Sequence, residues 1–410
     1  MDWDTIVVGG GAAGWVAAAA AGAAGQRVLI CERMPQTGRK LLSTGGGRCN
    51  VTTSSSDETV MAAFGRHGRF MQQALSVFGP AAIRVWLKQE SVPTVAQDDG
   101  CVFPVSQRAR DVLNAFQGAA EHNGVHVRCN CEVTALIVRG GAVTGVSTSA
   151  GPFASSRVIL AAGGCSYPAL GANGSGFQLA RQVGLAVVPP VPALVPLITA
   201  EDWPRQLPGL VLEQGRVLIA AKGRGRDGLV GPLLFTHRGI SGPPVLNLSG
   251  EVAARLAAGP VAVRVGMRAD RDAAAWRGVI EGWRTTHGGR DLHNLLAGEL
   301  PRKLAETLCG LAGLPATAVA RAPRARLEAL AGLCAEAPLT ITATQGWDQA
   351  MVTRGGVALE ELDPRTLACR RFPGLHCVGE VVDLDGPCGG YNLTWAFASG
   401  WLAGGYSSRR

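Results

Sequence analysis

The 410-residue sequence is poor in charged residues and has no cysteine pattern that would point to disulfides. Charged residues make up 17% of the chain against 47% hydrophobic residues, which excludes long disorder and favours a large core. The 11 cysteines include no C-x-x-C pair and no regular spacing. Because their number is odd and the start of the chain does not resemble a signal peptide, we expect a cytoplasmic protein in a reducing compartment.

Lysine is also scarce, because only four of the 39 basic residues are lysines and arginine carries the net charge of +8. The excess reflects either a bias of genome composition or an anionic partner, such as cofactor phosphates, an acidic substrate or nucleic acid. No dense basic tract occurs, so nucleic acid is the less expected partner. The long apolar stretch at residues 6–24 contains a glycine triplet and leads into a strand, so we expect no membrane contact.

A strand, a glycine turn, a helix and a second strand open the chain. A β-branched run at residues 3–8 leads into G-G-G-A-A-G at residues 9–14, and residues 28–32 read as a buried strand that ends in an acid. Together these elements predict a dinucleotide-binding unit, with the helix N-terminus facing phosphate groups.

Four residues of that unit each have a physical role. Gly9 allows the tight turn, and Gly11 lets a pyrophosphate approach backbone N–H groups. Gly14 lets the helix pack closely on the strand, and Glu32 is placed to accept hydrogen bonds from a ribose. This pattern by itself leaves FAD and NAD(P) both open as ligands.

A second glycine cluster follows at Gly45, Gly46 and Gly47, within a polar segment that spans residues 34–56. Three successive glycines suit a backbone pressed against a flat or phosphorylated ligand, with Lys40 and Arg48 nearby to neutralise charge. A flexible surface loop is the alternative interpretation. We expect a ligand contact here.

The middle of the chain predicts an insertion. Prolines at residues 187–192 are expected to end the first domain and begin a semi-rigid crossing. Residues 190–266 look rich in strands, and residues 268–336 look helical and rich in arginine. We predict an FAD-binding domain at residues 1–189 and 356–410, an inserted β-barrel at 190–266 and 337–355, and a helical subdomain at 267–336.

The end of the chain favours FAD over NAD(P) as the ligand. A short strand at residues 375–378 closes on Gly379 and Glu380, a strand-and-acid pair that resembles the second FAD signature of two-dinucleotide-domain flavoproteins, where the acid holds the ribityl chain. A final helix follows Gly389 and Gly390, and its positive end can face the flavin pyrimidine and stabilise the anionic reduced flavin.

Several of these stretches, in the same order, resemble the BaiN/YhiN-like bacterial flavoproteins. The motifs are G-G-G-A-A-G, G-R-K-L-L-S-T-G-G-G-R-C-N-V-T, A-A-G-G-C-S-Y-P, F-T-H-R-G-I-S-G-P-P-V-L, V-T-R-G-G-V and G-E-V-V-D-L-D-G-P-C-G-G-Y-N-L-T-W-A-F-A-S-G-W-L-A-G. The resemblance implies a Rossmann-like α/β FAD-binding domain, split by a β-barrel that carries a helical subdomain. This chain departs from the family at Ala162 and Ser175, where a threonine and an aspartate are usual.

The resemblance and the motifs together give a set of residues expected to contact FAD. They are Gly9, Gly11, Ala13, Gly14, Glu32, Arg33, Lys40, Gly46, Gly47, Arg48, Cys49, Asn50, Val133, Ala162, Gly163, Gly379, Glu380, Gly389, Gly390, Tyr391, Asn392 and Leu393.

The expected chemistry is hydride transfer between flavin N5 and a small organic substrate, which would bind in a cleft between the FAD domain and the insert. Reduction of a conjugated C=C bond is one such reaction. No second strand, G-x-G-x-x-G turn and helix that would form a domain for NAD(P) is visible, so NAD(P)H would visit as a transient co-substrate. No metal cluster is expected.

The catalytic candidates are Arg48, Cys49, Tyr167 and His237. His237 or a tyrosine could deliver a proton opposite the hydride. The alternatives are that His237 only hydrogen-bonds its own loop and that Cys49 is a small packing residue rather than a redox thiol.

Two rival interpretations remain at the level of sequence. One is an FAD-dependent nucleic-acid-modifying enzyme that grips RNA with the arginines of residues 268–336, although their irregular spacing favours a solvated surface. The other is a non-enzymatic flavoprotein with FAD as a structural or sensing cofactor. The substrate and the oligomeric state are left open.

Overall fold

The computed structural model describes residues 3–220 and 228–405. The chain divides into two compact units, Met1–Val191 with Met351–Arg410, and Pro192–Ala350.

The elements up to the first unit boundary are β1 (Thr5–Val8), α1 (Ala12–Ala23), β2 (Val28–Cys31), α2 (Arg39–Ser43), β3 (Thr52–Thr53), α3 (Asp57–Ala63), α4 (Gln72–Phe78), α5 (Pro80–Gln89), β4 (Thr94–Ala96), β5 (Cys101–Pro104), α6 (Ala109–His122), β6 (His126–Arg128), β7 (Val133–Arg139), β8 (Ala142–Thr148), β9 (Gly151–Ala154), β10 (Val158–Leu160), α7 (Ser175–Gln182) and β11 (Val187–Ala193). The second unit contains β12 (Leu197–Thr199), β13 (Val211–Ile219), β14 (Leu229–Thr236), β15 (Gly239–Ser241), α8 (Pro243–Leu256), β16 (Val261–Gly266), α9 (Ala273–Thr286), α10 (Leu292–Leu296), α11 (Arg302–Leu311), α12 (Arg324–Glu336) and β17 (Ala337–Thr344). The first unit resumes with β18 (Val352–Val357), β19 (Leu375–Cys377) and α13 (Tyr391–Gly405).

A five-stranded parallel sheet organises the first unit, in the order β19-β10-β1-β2-β6. All four residues of β1 and of β2 are buried, as expected for strands of a parallel sheet covered on both faces. The register places Val8 opposite both Cys31 and Leu160, and Leu160 opposite Cys377. The carboxyl ends of these four strands therefore lie at one edge of the sheet.

The alanine-rich helix α1 packs along α13 through small residues. A Cβ atom built on Gly400 would lie 2.4 Å from the Ala13 carbonyl oxygen, and one on Gly404 would lie 2.2 Å from that of Ala17. The two helix backbones can therefore approach this closely only because neither glycine has a side chain. This contact joins the first helix of the chain to the last.

The proline-rich segment differs from its predicted role as a semi-rigid crossing. Residues Val187–Ala193 form the strand β11, which pairs with β18. Proline is tolerated in such a two-stranded sheet because each strand has an unpaired edge. Gly355 of β18 allows the approach, since a Cβ there would lie 2.6 Å from the Pro189 carbonyl oxygen.

The second unit is built on a closed six-stranded barrel in the order β12-β15-β14-β13-β16-β17, with antiparallel pairing throughout. Alternate residues of β16 and β17, including Val263 and Ile341, point into its core. The helices α9–α12 occupy the region predicted to be helical.

One helix of the second unit, α8, lies inside the stretch that the sequence predicts to be rich in strands. It begins after Gly242, whose φ of +97° suits glycine, with Pro243 and Pro244 at its first two positions. Proline is favoured at the start of a helix because that N–H would have no partner. The G-P-P pattern was the available signal for this helix.

None of the helices within residues 3–220 and 228–405 combines the length and the hydropathy that crossing a membrane requires.

Candidate functional site

The carboxyl edge of the parallel sheet collects residues from both parts of the first unit. Gly9 N–H donates to Cys31 at 2.9 Å, Ala161 N–H to Val8 at 2.9 Å, and Val378 N–H to Leu160 at 3.0 Å. The segments that follow β1, β2, β10 and β19 are thereby aligned. In doubly wound folds ligands bind at this edge.

The glycines of the first turn fall into two classes. Gly9 has a φ of +101°, and a Cβ on Gly14 would lie 1.9 Å from the Gly9 carbonyl oxygen, so packing of the protein itself explains both. A Cβ on Gly11 would meet nothing within 4 Å. Gly11 is the residue before helix α1, so open space lies next to the positive end of that helix. A phosphate group fits this space.

An open Cβ position also occurs at two other predicted contacts. Gly46 and Gly163 have φ of +67° and +71°, and a Cβ on either would meet nothing within 4 Å. Gly47 has a φ of +87° with only the Leu42 carbonyl oxygen near its Cβ position, at 3.9 Å. The residues present therefore leave room for a flat, phosphorylated group such as FAD.

Glu32 links the glycine turn to the segment that follows β2, with one carboxylate oxygen on each. Oε2 accepts the Gly10 N–H at 2.8 Å, and Oε1 accepts the Met34 N–H at 2.7 Å. Each oxygen keeps a further lone pair for another donor, such as a ribose hydroxyl. The neighbouring Arg33 donates to the Gly171 carbonyl at 3.0 Å.

Cys49 is fully buried and adopts a left-handed backbone, with a φ of +63°. Burial raises the pKa of its thiol to about 12, although a hydrogen bond with Thr44 opposes the rise. The thiol is therefore protonated at neutral pH, which favours the packing role over thiolate chemistry.

Two neighbours of Cys49 are engaged with one short strand. The exposed guanidinium of Arg48 lies 4.6 Å from the centre of the Phe103 ring in β5. Asn50 Oδ1 accepts the Val102 N–H at 3.1 Å. These contacts fix the end of the glycine-rich segment on β5.

Lys40 and Glu380, predicted separately as FAD contacts, form an ion pair at 2.5 Å. Lys40 Nζ also donates to Ser166 Oγ at 2.5 Å, and Ser166 donates to the other Glu380 oxygen at 2.7 Å. The Thr353 N–H reaches that same oxygen at 2.8 Å. We call Lys40, Ser166, Thr353 and Glu380 the Lys40 network.

The Lys40 network sets the charge state of Glu380. Burial alone would raise the pKa of this carboxyl, but Lys40, Ser166 and Thr353 together hold the pKa below its usual value. A Cβ on Gly164 would lie 2.2 Å from Thr353 Oγ1, so the A-A-G-G turn also packs on the network. Ser166 and Thr353 were not among the predicted contacts, although Ser166 lies in the A-A-G-G-C-S-Y-P motif and Thr353 in the V-T-R-G-G-V motif.

Hydrogen bonds between Asn392 and Gly386 stabilise the last turn before α13. Asn392 Oδ1 accepts the Gly386 N–H at 2.8 Å, and its Nδ2 donates to the Gly386 carbonyl at 2.9 Å. Gly390 lies against β3, since a Cβ there would be 2.3 Å from the Thr52 carbonyl oxygen. Tyr391 and Leu393 are half-buried at the start of α13.

The remaining predicted residues are placed as follows. Tyr167 is half-buried with a φ of +55°, in the segment after β10 that also contains Ala162. Ala13 packs on the Gly379 turn, and Val133 is buried at the start of β7. His237 lies in the second unit, on the exposed turn between β14 and β15, so it is not among the residues that the first unit brings together.

The turn around His237 is held by its neighbour Thr236. Thr236 Oγ1 accepts the Arg238 and Gly239 N–H groups at 3.3 and 3.1 Å. Over residues 3–220 and 228–405, no cluster of three or more His, Cys, Asp or Glu side chains has the arrangement of a metal site.

The chain resembles known proteins over nearly its whole length. The model of the family described as HI0933-like protein Rossmann domain matches residues 3–406. A 3-dehydro-bile acid delta(4,6)-reductase of Clostridium scindens is 32% identical over 387 residues, which are 94% of this chain and 93% of that protein. A ribosomal RNA dihydrouridine synthase of Escherichia coli is 31% identical over 405 residues, 97% of this chain and 96% of that protein.

Solved structures show the same fold at lower identity. The 3-ketosteroid delta1-dehydrogenase of Sterolibacterium denitrificans has a TM-score of 0.52 at 14% identity, with 98% of each chain covered. The 3-ketosteroid-delta4-(5alpha)-dehydrogenase of Rhodococcus jostii has a TM-score of 0.51 at 15% identity, covering 99% of this chain and 97% of that one. The predicted fold class, a Rossmann-like domain with an inserted barrel, is confirmed. The chain belongs to the HI0933-like family, the BaiN/YhiN-like flavoproteins, and it is an FAD-dependent oxidoreductase.

Proposed function

We propose that this enzyme reduces a carbon–carbon double bond conjugated to a carbonyl group, with NAD(P)H as the source of electrons. The observation that carries the proposal is the relative from Clostridium scindens, which matches 94% of this chain and is named for such a reaction. In a 3-keto compound with double bonds at positions 4 and 6, the double bonds and the ketone form one conjugated system.

The first unit supplies the residues that would hold FAD. The open space beside Gly11 lies at the positive end of α1, where backbone N–H groups favour a pyrophosphate. Glu32 would accept from the ribose, while Gly46 and Gly163 would let the backbone lie against the cofactor. Bound FAD supplies hydride chemistry that no protein side chain can provide.

Within the Lys40 network, the charges of Lys40 and Glu380 cancel. The network therefore adds little net charge to the site, and its contribution is to hold the Gly379 turn and the loop at Ser166 in place. Reduction of a conjugated double bond needs a proton as well as a hydride. We propose Tyr167 as its donor in the first unit, because its side chain is half-exposed whereas the Cys49 thiol is fully buried.

Ribosomal RNA is a second candidate substrate, because the relative from Escherichia coli is named as a ribosomal RNA dihydrouridine synthase. The double bond of uracil that becomes saturated in dihydrouridine is also conjugated to a carbonyl, so the same chemistry would serve. The arginines of the helical region weigh against it. Arg268 pairs with Asp270 at 2.8 Å, Arg271 with Glu299 at 3.0 Å and Arg277 with Glu328 at 3.5 Å. Each of these arginines has a carboxylate of its own, which leaves less positive charge for phosphates.

An anaerobic titration tests the proposed function. NADPH or NADH should bleach the flavin absorbance of the purified protein, and a 3-keto steroid acid with conjugated double bonds should restore it and gain two hydrogens by mass spectrometry. Tyr167→Phe should slow the restoring step and leave the bleaching step unchanged. Restoration by unmodified ribosomal RNA alone would select the second candidate, and restoration by neither compound would overturn the proposal.

Gly11→Asn should remove FAD binding without unfolding the protein. Asn is a favoured residue before a helix, and the Gly11 Cβ position is open, so the melting temperature of the apoprotein should stay close to that of the parent. The side chain would occupy the space proposed for the pyrophosphate, and the FAD dissociation constant should rise by about a hundredfold or more.

The matched control is Gly25→Asn beyond the other end of α1. Gly25 also has an open Cβ position, and its φ of +75° is one that Asn tolerates. It should retain FAD. Wild-type FAD affinity in Gly11→Asn would contradict the proposed phosphate position.

A further inference from the structure

A groove with a volume of about 790 Å³ lies within the second unit, between barrel strands and the helices α9 and α12. Arg216 of β13, Arg264 of β16 and Pro338 of β17 line one wall. The volume is that of a site for a small organic molecule. The candidate FAD residues belong to the first unit, so the proposed function does not account for this groove.

The charged residues of the groove do not balance. Arg216 and Arg264 approach the same carboxylate, Glu336, at 3.2 and 3.8 Å. Asp272, the other lining acid, keeps its negative charge at the start of α9, where its Oδ1 accepts the Ala275 N–H at 2.8 Å, and within the described part of the chain it forms no ion pair with Arg216 or Arg264. The third lining arginine, Arg277, pairs with Glu328 at 3.5 Å. Arg216 and Arg264 therefore share the single carboxylate of Glu336, which leaves an excess of positive charge at this wall.

One donor in the groove lacks an acceptor. The Nε atom of Arg216 is buried, and it has no hydrogen-bond partner among the residues that the structure describes. A buried donor without a partner is costly, so the protein itself does not use all the hydrogen-bonding capacity of this guanidinium. The Arg216 side chain is still 26% exposed, and its accessible N–H groups can pair with an anionic group in the groove.

The opposite wall is apolar and leaves space. Leu311 exposes 47% of its surface, although most leucines of the helices α9–α12 are buried. The lining residues of α12 beside it include Ala329 and Gly332, and a Cβ on Gly332 would meet nothing within 4 Å. An apolar body can pack on this wall while a charged end reaches the arginines.

We infer that this groove, named here the Arg216 groove, binds a small amphipathic organic anion. The ligand class is an apolar ring or chain that carries one carboxylate or sulfonate. The anionic group pairs with Arg216 and Arg264, and the apolar part covers Leu311 and the open face of α12.

The test uses FAD-loaded protein and two fluorescent probes that differ in charge. Anilinonaphthalene sulfonate should bind saturably with a stoichiometry of one, and phenylnaphthylamine, which lacks the sulfonate, should bind about tenfold more weakly or worse. The double variant Arg216→Met/Arg264→Met should lose this preference for the charged probe. Equal binding of the two probes to the parent protein would overturn the inference.

A second variant fills the groove without altering its charges. Gly332→Leu places a side chain in open space on α12, so the melting temperature should be preserved while binding of both probes falls. The matched control is Arg302→Met, which removes an exposed arginine paired with Glu306 on α11 and should leave binding unchanged. Unchanged probe binding in Gly332→Leu would place the probe elsewhere and overturn the inference.

Discussion

Gly14→Ala should yield a protein that no longer binds FAD and is destabilised by about 3 kcal/mol, the upper end of what overpacking costs. The added methyl group would lie 1.9 Å from the Gly9 carbonyl oxygen, so α1 would have to move away from β1. Movement away from the sheet is resisted by α13, whose Gly400 and Gly404 already touch the backbone of α1. The measurements are the melting temperature of the apoprotein and the ratio of flavin to protein absorbance.

Gly118→Ala is the matched control for that substitution. Gly118 lies within α6, and a Cβ there would meet nothing within 4 Å. Alanine is favoured over glycine inside a helix by about 1 kcal/mol, so this variant should be as stable as the parent or slightly more stable. Parent-like stability and FAD content in Gly14→Ala would show that the close approach of α1 to the glycine turn is not required.

Lys40→Met should destabilise the protein by about 3 kcal/mol at neutral pH, because it leaves the Glu380 carboxylate with no opposite charge. The pair is shielded from solvent, with 26% of the Lys40 side chain and 19% of the Glu380 side chain exposed. Removing the charge of both partners in Lys40→Met/Glu380→Gln should recover much of the loss. The exposed pair Arg302–Glu306 provides the control, since Arg302→Met should cost less than about 1 kcal/mol.

The pH dependence of the Lys40→Met defect has a definite sign. In the parent, the folded-state pKa of Glu380 is below its usual value, so this group stabilises the protein above about pH 4.5 and the effect is lost as the pH falls further. Without Lys40, burial should dominate and raise that pKa. The variant then loses stability as the pH rises, and the gap to the parent should widen between about pH 4 and pH 7. Equal gaps at the two pH values would contradict the role assigned to Lys40.

The parts of the candidate site that are encoded locally could be predicted from the sequence. The spacing of Gly9, Gly14 and Glu32 predicts a turn whose geometry involves only neighbouring elements, and the structure has that turn. The contact of Lys40 with Ser166 and Glu380 spans 126 and 340 residues of sequence. No local pattern specifies which distant polar groups will meet, so Ser166 and Thr353 could not be selected.

Two elements were missed for a different reason. The strand β11 contains three prolines, which ordinarily disfavour a strand because proline has no N–H to donate. In a two-stranded sheet each strand has one unpaired edge, where no N–H donor is needed. The helix α8 lies between strands of the barrel, and its G-P-P start was overlooked because the flanking residues are typical of strands. Tertiary context therefore outweighed local propensity in β11, whereas α8 carried a local start signal in its own sequence.

The pairing of α1 with α13 has a consequence for synthesis on the ribosome. The chain is made from the N-terminus, so residues 192–350 emerge before β19 and α13 do. The barrel unit then has all of its strands while the parallel sheet still lacks its edge strand and α1 still lacks its covering helix. We expect nascent chains to hold an uncovered apolar helix throughout this interval, which is when a chaperone would protect them from aggregation.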